Sequence, residues 1–368
     1  MKLCRSDYNC FTMQTKSRFL NMPVEPFVVE PGLTAEQILE RMAKISFQGR
    51  NLANAFRVWL QMLQSDATIL LAAAGALSAG GLRLVLAHLI SKRYIDCFVS
   101  TGAILYHDLH ETRGKRHFIG TTEADDEALK TERIDRVYDT FVSEDEFVDN
   151  DAWIAQFTAT LPRRPFSTRE YLYRLGEHLW KETGRDGILT AAYRSNVPVF
   201  CPAIADSSIG MGISEARHED PTVGQIDTIN DIIELTNVVI RREKTSSIVL
   251  GGGTPKNFIN QARVQAECFR PGIGGHECAL QIITDSPQWG GLSGSSLNEA
   301  ASWGKLNCGA ERVTVHADVT LALPLLVTGL TAAAATLPSR PAPVFDLGGR
   351  VMSVDGVPLP DNRFEESE

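Results

Sequence analysis

Residues 298–318 read NEAASWGKLNCGAERVTVHAD, and the end of that stretch has the form of a strand running into a helix. The apolar-alternating run Val313–Ala317 is followed by Asp318 and then by a long apolar segment. Upstream, Lys305 stands between Gly304 and Leu306, directly after Trp303, with Glu299 six residues before it. An aromatic neighbour and an apolar successor predict a lysine partly withdrawn from water. Desolvation disfavours the ammonium form and lowers the pKa, which is how a lysine becomes an imine-forming nucleophile. A surface lysine in a loop is the ordinary alternative for any lone Lys. Two glycine-rich segments argue for more: Gly251-Gly252-Gly253 closes the apolar run Ser247–Leu250, and Trp289–Ser296 leads into the Lys305 segment.

The same alternation extends in both directions. Buried-strand runs are expected at Ala67–Ala74, Ile95–Ser100, Val197–Cys201, Ser247–Leu250, Ala279–Thr284 and Val313–Ala317. Between them, helical periods or caps predict helices over Thr34–Met42 (N-capped by Thr34), Arg50–Leu63, Leu82–Ile90, Ser167–Thr183, Thr222–Ile240 and Pro255–Gln265. Strands separated by helices imply an α/β fold, a Rossmann-like, mainly parallel sheet covered on both faces. Residues 1–30 read as a loose N-terminal arm, 31–336 as the folded catalytic domain, and 337–368 as a proline-rich, charged tail that contributes little to the core.

In such a fold the ligand crevice lies at the carboxyl ends of the strands. The loops that follow the expected strands are Ser100–Ala103, Asp206–Gly210, Gly251–Asn257, Thr284–Gly294 and the turn at Asp318. Glycines let the backbone approach a phosphate and aim N–H groups at it, so a nucleotide-type ligand is expected even though the GxGxxG fingerprint is absent.

Composition narrows the class. The 368 residues are 43% hydrophobic and 22% charged, ordinary for a water-soluble globular chain. A net charge of −9 argues against a nucleic-acid binder and suits a small cationic substrate. Seven cysteines without a CxxC pair are expected to be reduced and mostly buried. His107 and His110 are spaced i, i+3 with no HExxH and no third ligand beside them, so no metal site is expected. No apolar run reaches the length of a membrane helix and the basic start has no apolar core, so the expected location is cytoplasmic.

Six segments together resemble the deoxyhypusine synthase family, and in particular its bacterial deoxyhypusine synthase-like branch. They are SFQGRNL at 46–52, STGAILYHDLHE at 100–111, FCPAIADSSIG at 200–210, VLGGGTPKNF at 249–258, EAASWGKL at 299–306 and VTVHADVTLALPLLV at 313–327, in the family's order. The resemblance implies a redox-neutral transfer on a polyamine. NAD takes hydride from beside a secondary nitrogen to give an imine, the active-site lysine displaces the leaving amine and holds the four-carbon aminobutyl group as an enzyme imine, a second amine accepts it, and the same hydride returns. Lys305 falls on the family's nucleophile, with Trp303 and Glu299 on retained pocket residues and Trp303 expected to shield the site from water. Asp206 and Asp318 fall on cofactor-contacting aspartates, Asp318 on the one that holds the adenosine ribose; helix capping is their structural alternative. Thr101, Gly102, Gly251, Gly252, Gly253, Thr284 and Asp285 fall on NAD-contacting loops. The resemblance also implies a homotetramer of tight dimers whose active sites lie at the dimer interface.

Departures from the family bear on substrate. Asn257 stands where the eukaryotic enzymes have a proton-transferring histidine, and an amide cannot shuttle a proton near neutral pH. Met211 and Leu292 replace two acidic residues that grip ammonium groups, and His107 replaces a glutamate of the first strand-end loop. Losing carboxylates from a desolvated cation site disfavours spermidine as donor and a protein lysine as acceptor. A different or shorter amine pair is expected, as in making homospermidine from putrescine. A catalytically impaired NAD-binding homologue with a structural or regulatory role is the alternative; retention of Lys305, Trp303 and Glu299 together favours the enzyme.

Overall fold

Six runs rich in buried apolar side chains form the central sheet: β1 Thr68–Ala73, β2 Cys97–Ser100, β3 Val199–Phe200, β4 Thr245–Leu250, β5 His276–Ile283 and β6 Leu306–His316. Every residue of β1 and β4 is buried, as strands covered by helices on both faces require. The structure is a computed structural model that describes residues 20–361. All six strands are parallel, in the spatial order β3-β2-β1-β4-β5-β6. That is the doubly wound nucleotide-binding order, whose direction of winding reverses between β1 and β4. The α/β, Rossmann-like expectation holds.

The helices, in chain order, are α1 Ala35–Met42, α2 Phe47–Gln64, α3 Arg83–Ser91, α4 Gly102–Thr112, α5 Asp126–Thr131, α6 Glu144–Ala159 and α7 Thr168–Thr183. They continue with α8 Ile188–Ser195, α9 Ser208–Glu219, α10 Thr228–Arg242, α11 Gly253–Phe269, α12 Leu297–Ser302 and α13 Val319–Ala334. Thr34 caps α1 through a reciprocal bond with Gln37, and Ser167 caps α7 through the Glu170 N–H, where the sequence places those caps. One core face joins α2, α3, α4, α7, α8 and α13; the other joins α10, α11 and the C-terminal segment. No helix among the described residues is long and apolar enough to cross a membrane.

Four expectations need correction. The helix expected from Thr222 starts at Thr228, because the chain first passes Gly224 in a left-handed turn and pairs across to Phe166 at Ile226. The strand expected at Val313–Ala317 begins at Leu306, with an irregular step between His276 and Cys278 of β5 where β6 carries extra residues. Residues 118–143 add a three-stranded antiparallel sheet that periodicity did not reveal. The tail after residue 336 belongs to the core: Phe345, Leu347, Met352, Val354 and Leu359 are buried in the layer that holds Leu235, Val238 and Val239. Of the N-terminal arm, residues 1–19 lie outside the described residues. Residues 21–30 are exposed, with Glu25 N–H donating to the Lys44 carbonyl at 3.1 Å.

A buried ion pair fastens the tail. Arg169 is inaccessible to solvent; its Nε and Nη2 each donate to the Glu234 carboxylate at 2.9 Å. The same guanidinium donates to the carbonyls of Leu347 (3.4 Å) and Arg350 (3.1 Å). Removing one partner of such a pair strands the other charge in a low-dielectric interior, a loss of about 3–5 kcal/mol. Arg169→Ala is therefore expected to lower the urea-unfolding free energy by about that amount. A loss below about 1 kcal/mol would show that the pair contributes only what a surface ion pair does.

Candidate active site

The switch point between β1 and β4 is where the first glycine cluster sits. Ala73 pairs with Leu250, so Ala74 and Gly251 leave the sheet side by side. A Cβ on Gly251 would lie 2.9 Å from the Ala74 carbonyl oxygen, and one on Gly252 would lie 2.7 Å from Ser293 Cα. Gly251, Gly252 and Gly253 all have positive φ, which a side chain would make costly as well as crowded. The turn delivers the chain into α11, and the Gly253 N–H donates to Ser293 Oγ at 3.0 Å.

The first turns of α11 supply Lys256 and Asn257. Lys256 is buried, with its ammonium donating to the carbonyls of Ser293 (3.0 Å) and Ser295 (2.6 Å). Burial first, and the charge of Lys305 as well, bring its pKa down to about 8 against an opposing pull from Glu299. From the other side comes Lys305, held where its N–H donates to the Ala300 carbonyl and its own carbonyl accepts from His276 N–H, at the start of β5. The Lys305 ammonium donates to Asn257 Oδ1 at 3.1 Å and lies 5.6 Å from the centre of the Trp303 ring. Desolvation lowers its pKa, with Glu299 pulling the other way.

Lys305, Trp303, Glu299 and Asn257 thus share one cleft of about 470 Å³ with Lys256, Gln261 and Leu292. Trp303 is 66% exposed, so within the chain it flanks Lys305 without sealing it from water. That corrects the expected shielding role. Lys256 is the residue the sequence reading passed over. Its only signal was its place in the PKN run after the glycines, and the burial comes from a loop some forty residues away in the chain.

The remaining residues lie along the same edge of the sheet. Gly102 opens α4 at the end of β2, and a Cβ there would collide with Ser207 Oγ at 2.2 Å, so the β2 and β3 loops meet. Thr101 Oγ1 is buried with no hydrogen-bond partner. Asp206 is exposed in the turn before α9, and the cap of that helix is Ser207, so capping does not account for Asp206. Thr284 is exposed at the end of β5, and Asp285 accepts from the Ser286 N–H at 2.8 Å and helps hold Lys256 charged. Asp318 does cap its helix: Oδ1 accepts from Thr320 N–H at 2.7 Å and from the Thr320 hydroxyl. It borders a second cavity of about 750 Å³, shared with Gly80, Gly81, Glu111 and His117.

His107 is not in a strand-end loop. It lies inside α4, buried, with Nδ1 2.8 Å from His117 Nε2, and His117 Nδ1 is 2.8 Å from Glu111 Oε1. A third histidine therefore does join His107 and His110, with ring centres 5.0 Å from each. The nitrogens bond to one another, to Asn150 and to backbone, and no group among the described residues is arranged to hold a metal ion. Of the five described cysteines, Cys97, Cys201 and Cys278 are buried and Cys268 and Cys308 exposed; Cys4 and Cys10 lie outside the described residues.

The family model for deoxyhypusine synthase matches residues 37–330, spanning all six strands and the Lys305 cleft. The chain belongs to the deoxyhypusine synthase family. It is 42% identical over 329 residues to a probable deoxyhypusine synthase 2 of Methanosarcina acetivorans, covering 89% of this chain and 94% of that protein. It is 46% identical over 290 residues to a probable deoxyhypusine synthase 2 of Archaeoglobus fulgidus, covering 78% and 95%. A deoxyhypusine synthase-like protein of Elusimicrobium minutum is 35% identical over 320 residues, covering 85% of each chain. Among solved structures, a putative deoxyhypusine synthase from Entamoeba histolytica superposes with a TM-score of 0.57 at 18% identity, covering 82% of this chain and 94% of that one. That likeness supports the deoxyhypusine synthase fold.

Lys256 gives a test of the cleft's electrostatics. Its folded pKa, about 8, lies below the 10.5 of a free lysine. Between those values the unfolded chain holds a proton that the folded chain has released, so this lysine makes folding more favourable as pH rises through the window. Urea titrations from pH 7.5 to about 10.5 should show a flatter pH dependence for Lys256→Met than for the parent chain. Identical slopes would mean that the lysine is not desolvated.

Proposed function

We propose that this member of the deoxyhypusine synthase family is an NAD-dependent aminoalkyl transferase that carries its four-carbon group as an imine on Lys305. The observation that carries the reading is the placing of Lys305: half-buried, its pKa lowered by desolvation, beside a second buried lysine and one carboxylate. A lysine must be neutral to attack, and desolvation raises the neutral fraction at physiological pH. Asn257 Oδ1 orients the ammonium through an acceptor bond without taking its proton. Lys256 holds the Ser293–Ser295 backbone across the cleft.

The chain's own features fit a dinucleotide. The glycine triplet lies at the topological switch point, Thr101 Oγ1 is a buried hydroxyl with an open valence, and Asp206 is uncommitted to any cap. When bound there, NAD would supply the acceptance and return of a hydride, which no side chain can perform. Thr101, Gly102, Asp206, the three glycines, Thr284, Asp285 and Asp318 are the residues assigned to hold it.

The substrate is a small amine. Glu299 is the sole carboxylate lining the Lys305 cleft among the described residues, and Leu292 adds an apolar wall. Putrescine brings two ammonium groups where spermidine brings three, so the shorter amine leaves fewer cations unpaired beside a single carboxylate. Lys305→Arg is expected to keep the fold and NAD affinity and to lose transfer, because guanidinium stays protonated. Transfer by that variant above a few per cent of the parent rate would remove Lys305 from the covalent role.

The assembly is proposed as a cytoplasmic homotetramer built from dimers that close the cleft. Trp303 is exposed beside Lys305, and Leu292, Ile229 and Phe258 line an adjoining apolar cleft of about 630 Å³ that shares Asn257 and Gln261 with the first. Such a surface calls for a wall that excludes water, and two-fold pairing of identical chains is the commonest source of one. Light scattering on an active sample should give four chain masses, with activity and assembly lost together on dilution. A single-chain mass for active protein would contradict it.

A further inference from the structure

The SFQGRNL segment has no part in the chemistry above, yet it builds one wall of a separate groove. Gln48 Oε1 accepts from the His316 N–H at 2.7 Å and from Asn51 Nδ2 at 3.3 Å, which ties the start of α2 to β6, the outermost strand of the sheet. Asn51, Asn54 and Arg57 follow at three-residue intervals, on one side of α2, and line a groove of about 370 Å³. Arg312 and Thr314 of β6 and Ser296 line it from the other side.

Arg312 is the anomaly. Its Nη1 is buried and has no hydrogen-bond partner, and no ion pair engages its guanidinium among the described residues. Arg93 and Arg113 also keep a buried Nε without an acceptor, but their other nitrogens donate to Asp96 and the Pro343 carbonyl, and to Asp149 and Asn150, whereas no such bond engages Arg312 among the described residues. Three further withdrawn arginines have several acceptors each. Arg263 donates to four backbone carbonyls, Arg83 to Asp108, Thr112 and Asp186, and Arg340 to Asp96, Arg93 and Ala67. A guanidinium N–H taken from water and left without an acceptor is unfavourable, so its presence points to an acceptor supplied from outside the chain. Arg57, exposed and bonded to Asn54 Oδ1, adds a second cation and leaves the Asn54 amide N–H₂ unclaimed by that bond. Glu311 stands at the same groove and is exposed, so the lining carries two cations against one anion. In a chain of net charge −9 this local excess is not a product of the general field.

We propose that this groove is an oxyanion-binding site, distinct from the Lys305 cleft, in which Arg312 takes a carboxylate or phosphate group by its planar fork and Arg57 and Asn54 support it. The oxyanion is either a free dianion or a carboxylate side chain of a second copy of this chain. The groove's lining is polar throughout apart from Val58, Leu297 and Val313, which excludes an apolar ligand as its main occupant.

Calorimetry of the full chain with inorganic phosphate in low-chloride buffer, alongside light scattering, separates the sources. If the oxyanion is free, the parent binds phosphate and Arg312→Gln binds at least tenfold more weakly with unchanged assembly mass. If it is a side chain of a second copy, phosphate does not bind and Arg312→Gln shifts the mass to smaller species. A folded Arg312→Gln protein that matches the parent in both measurements overturns the proposal. Should Arg312→Gln not fold, the exposed Arg57→Gln decides: a severalfold loss of phosphate affinity or a reduced mass supports the site, and parental behaviour in both overturns it.

Discussion

The site depends on a close approach between two stretches of backbone. Gly252 lies against Ser293 so tightly that no Cβ fits between them, and Gly294 lies equally tightly against the Ser286 carbonyl. That contact brings the start of α11 under the loop leading to Lys305. Without it, Lys256 could not reach the carbonyls of Ser293 and Ser295, and Asn257 could not meet the Lys305 ammonium. The glycines are needed here for space as well as for positive φ. They convert a sheet edge into a cleft with two lysines at its base.

Two lysines sharing one cleft is an electrostatic cost that the fold meets with backbone carbonyls on Lys256 and with the Glu299 carboxylate. Lys256 is held in place by two backbone carbonyls, and the nearby carboxylates of Glu299 and Asp285 favour its charged form. Desolvation favours the neutral form of Lys305 beside it. Glu299 opposes both shifts, and its position in the first turn of α12 is fixed by the Ser296 cap. The chemistry proposed for Lys305 therefore follows from a balance between its desolvation and the Glu299 carboxylate.

Much of this was legible in the sequence. The strand runs and helix caps at Thr34 and Ser167 follow from local rules, and their alternation predicts the parallel sheet. Lys305, Trp303, Glu299 and Asn257 are brought into one cleft as their motifs suggest. What escaped is what depends on contacts between distant segments. The burial of Lys256 is made by residues 293–295, the anchoring of the tail by Arg169 and Glu234, and the histidine cluster by His117, seven residues beyond His110 and after a turn. The late start of α10 escaped because the bridge of Ile226 to Phe166 overrides the helix signal after Pro221. Exposure of Trp303 in the single chain was equally invisible, because an aromatic beside a lysine reads the same whether it is covered by its own fold or by a neighbour.

The central claim is that Lys305 carries the transferred group. Incubating the protein with NAD and putrescine, quenching with borohydride and mapping peptides by mass spectrometry tests it directly. The account predicts a stable aminobutyl adduct on the peptide that contains Lys305, dependent on both NAD and amine and absent from Lys305→Arg. An adduct on Lys256 instead, or turnover without any trapped lysine, would contradict it.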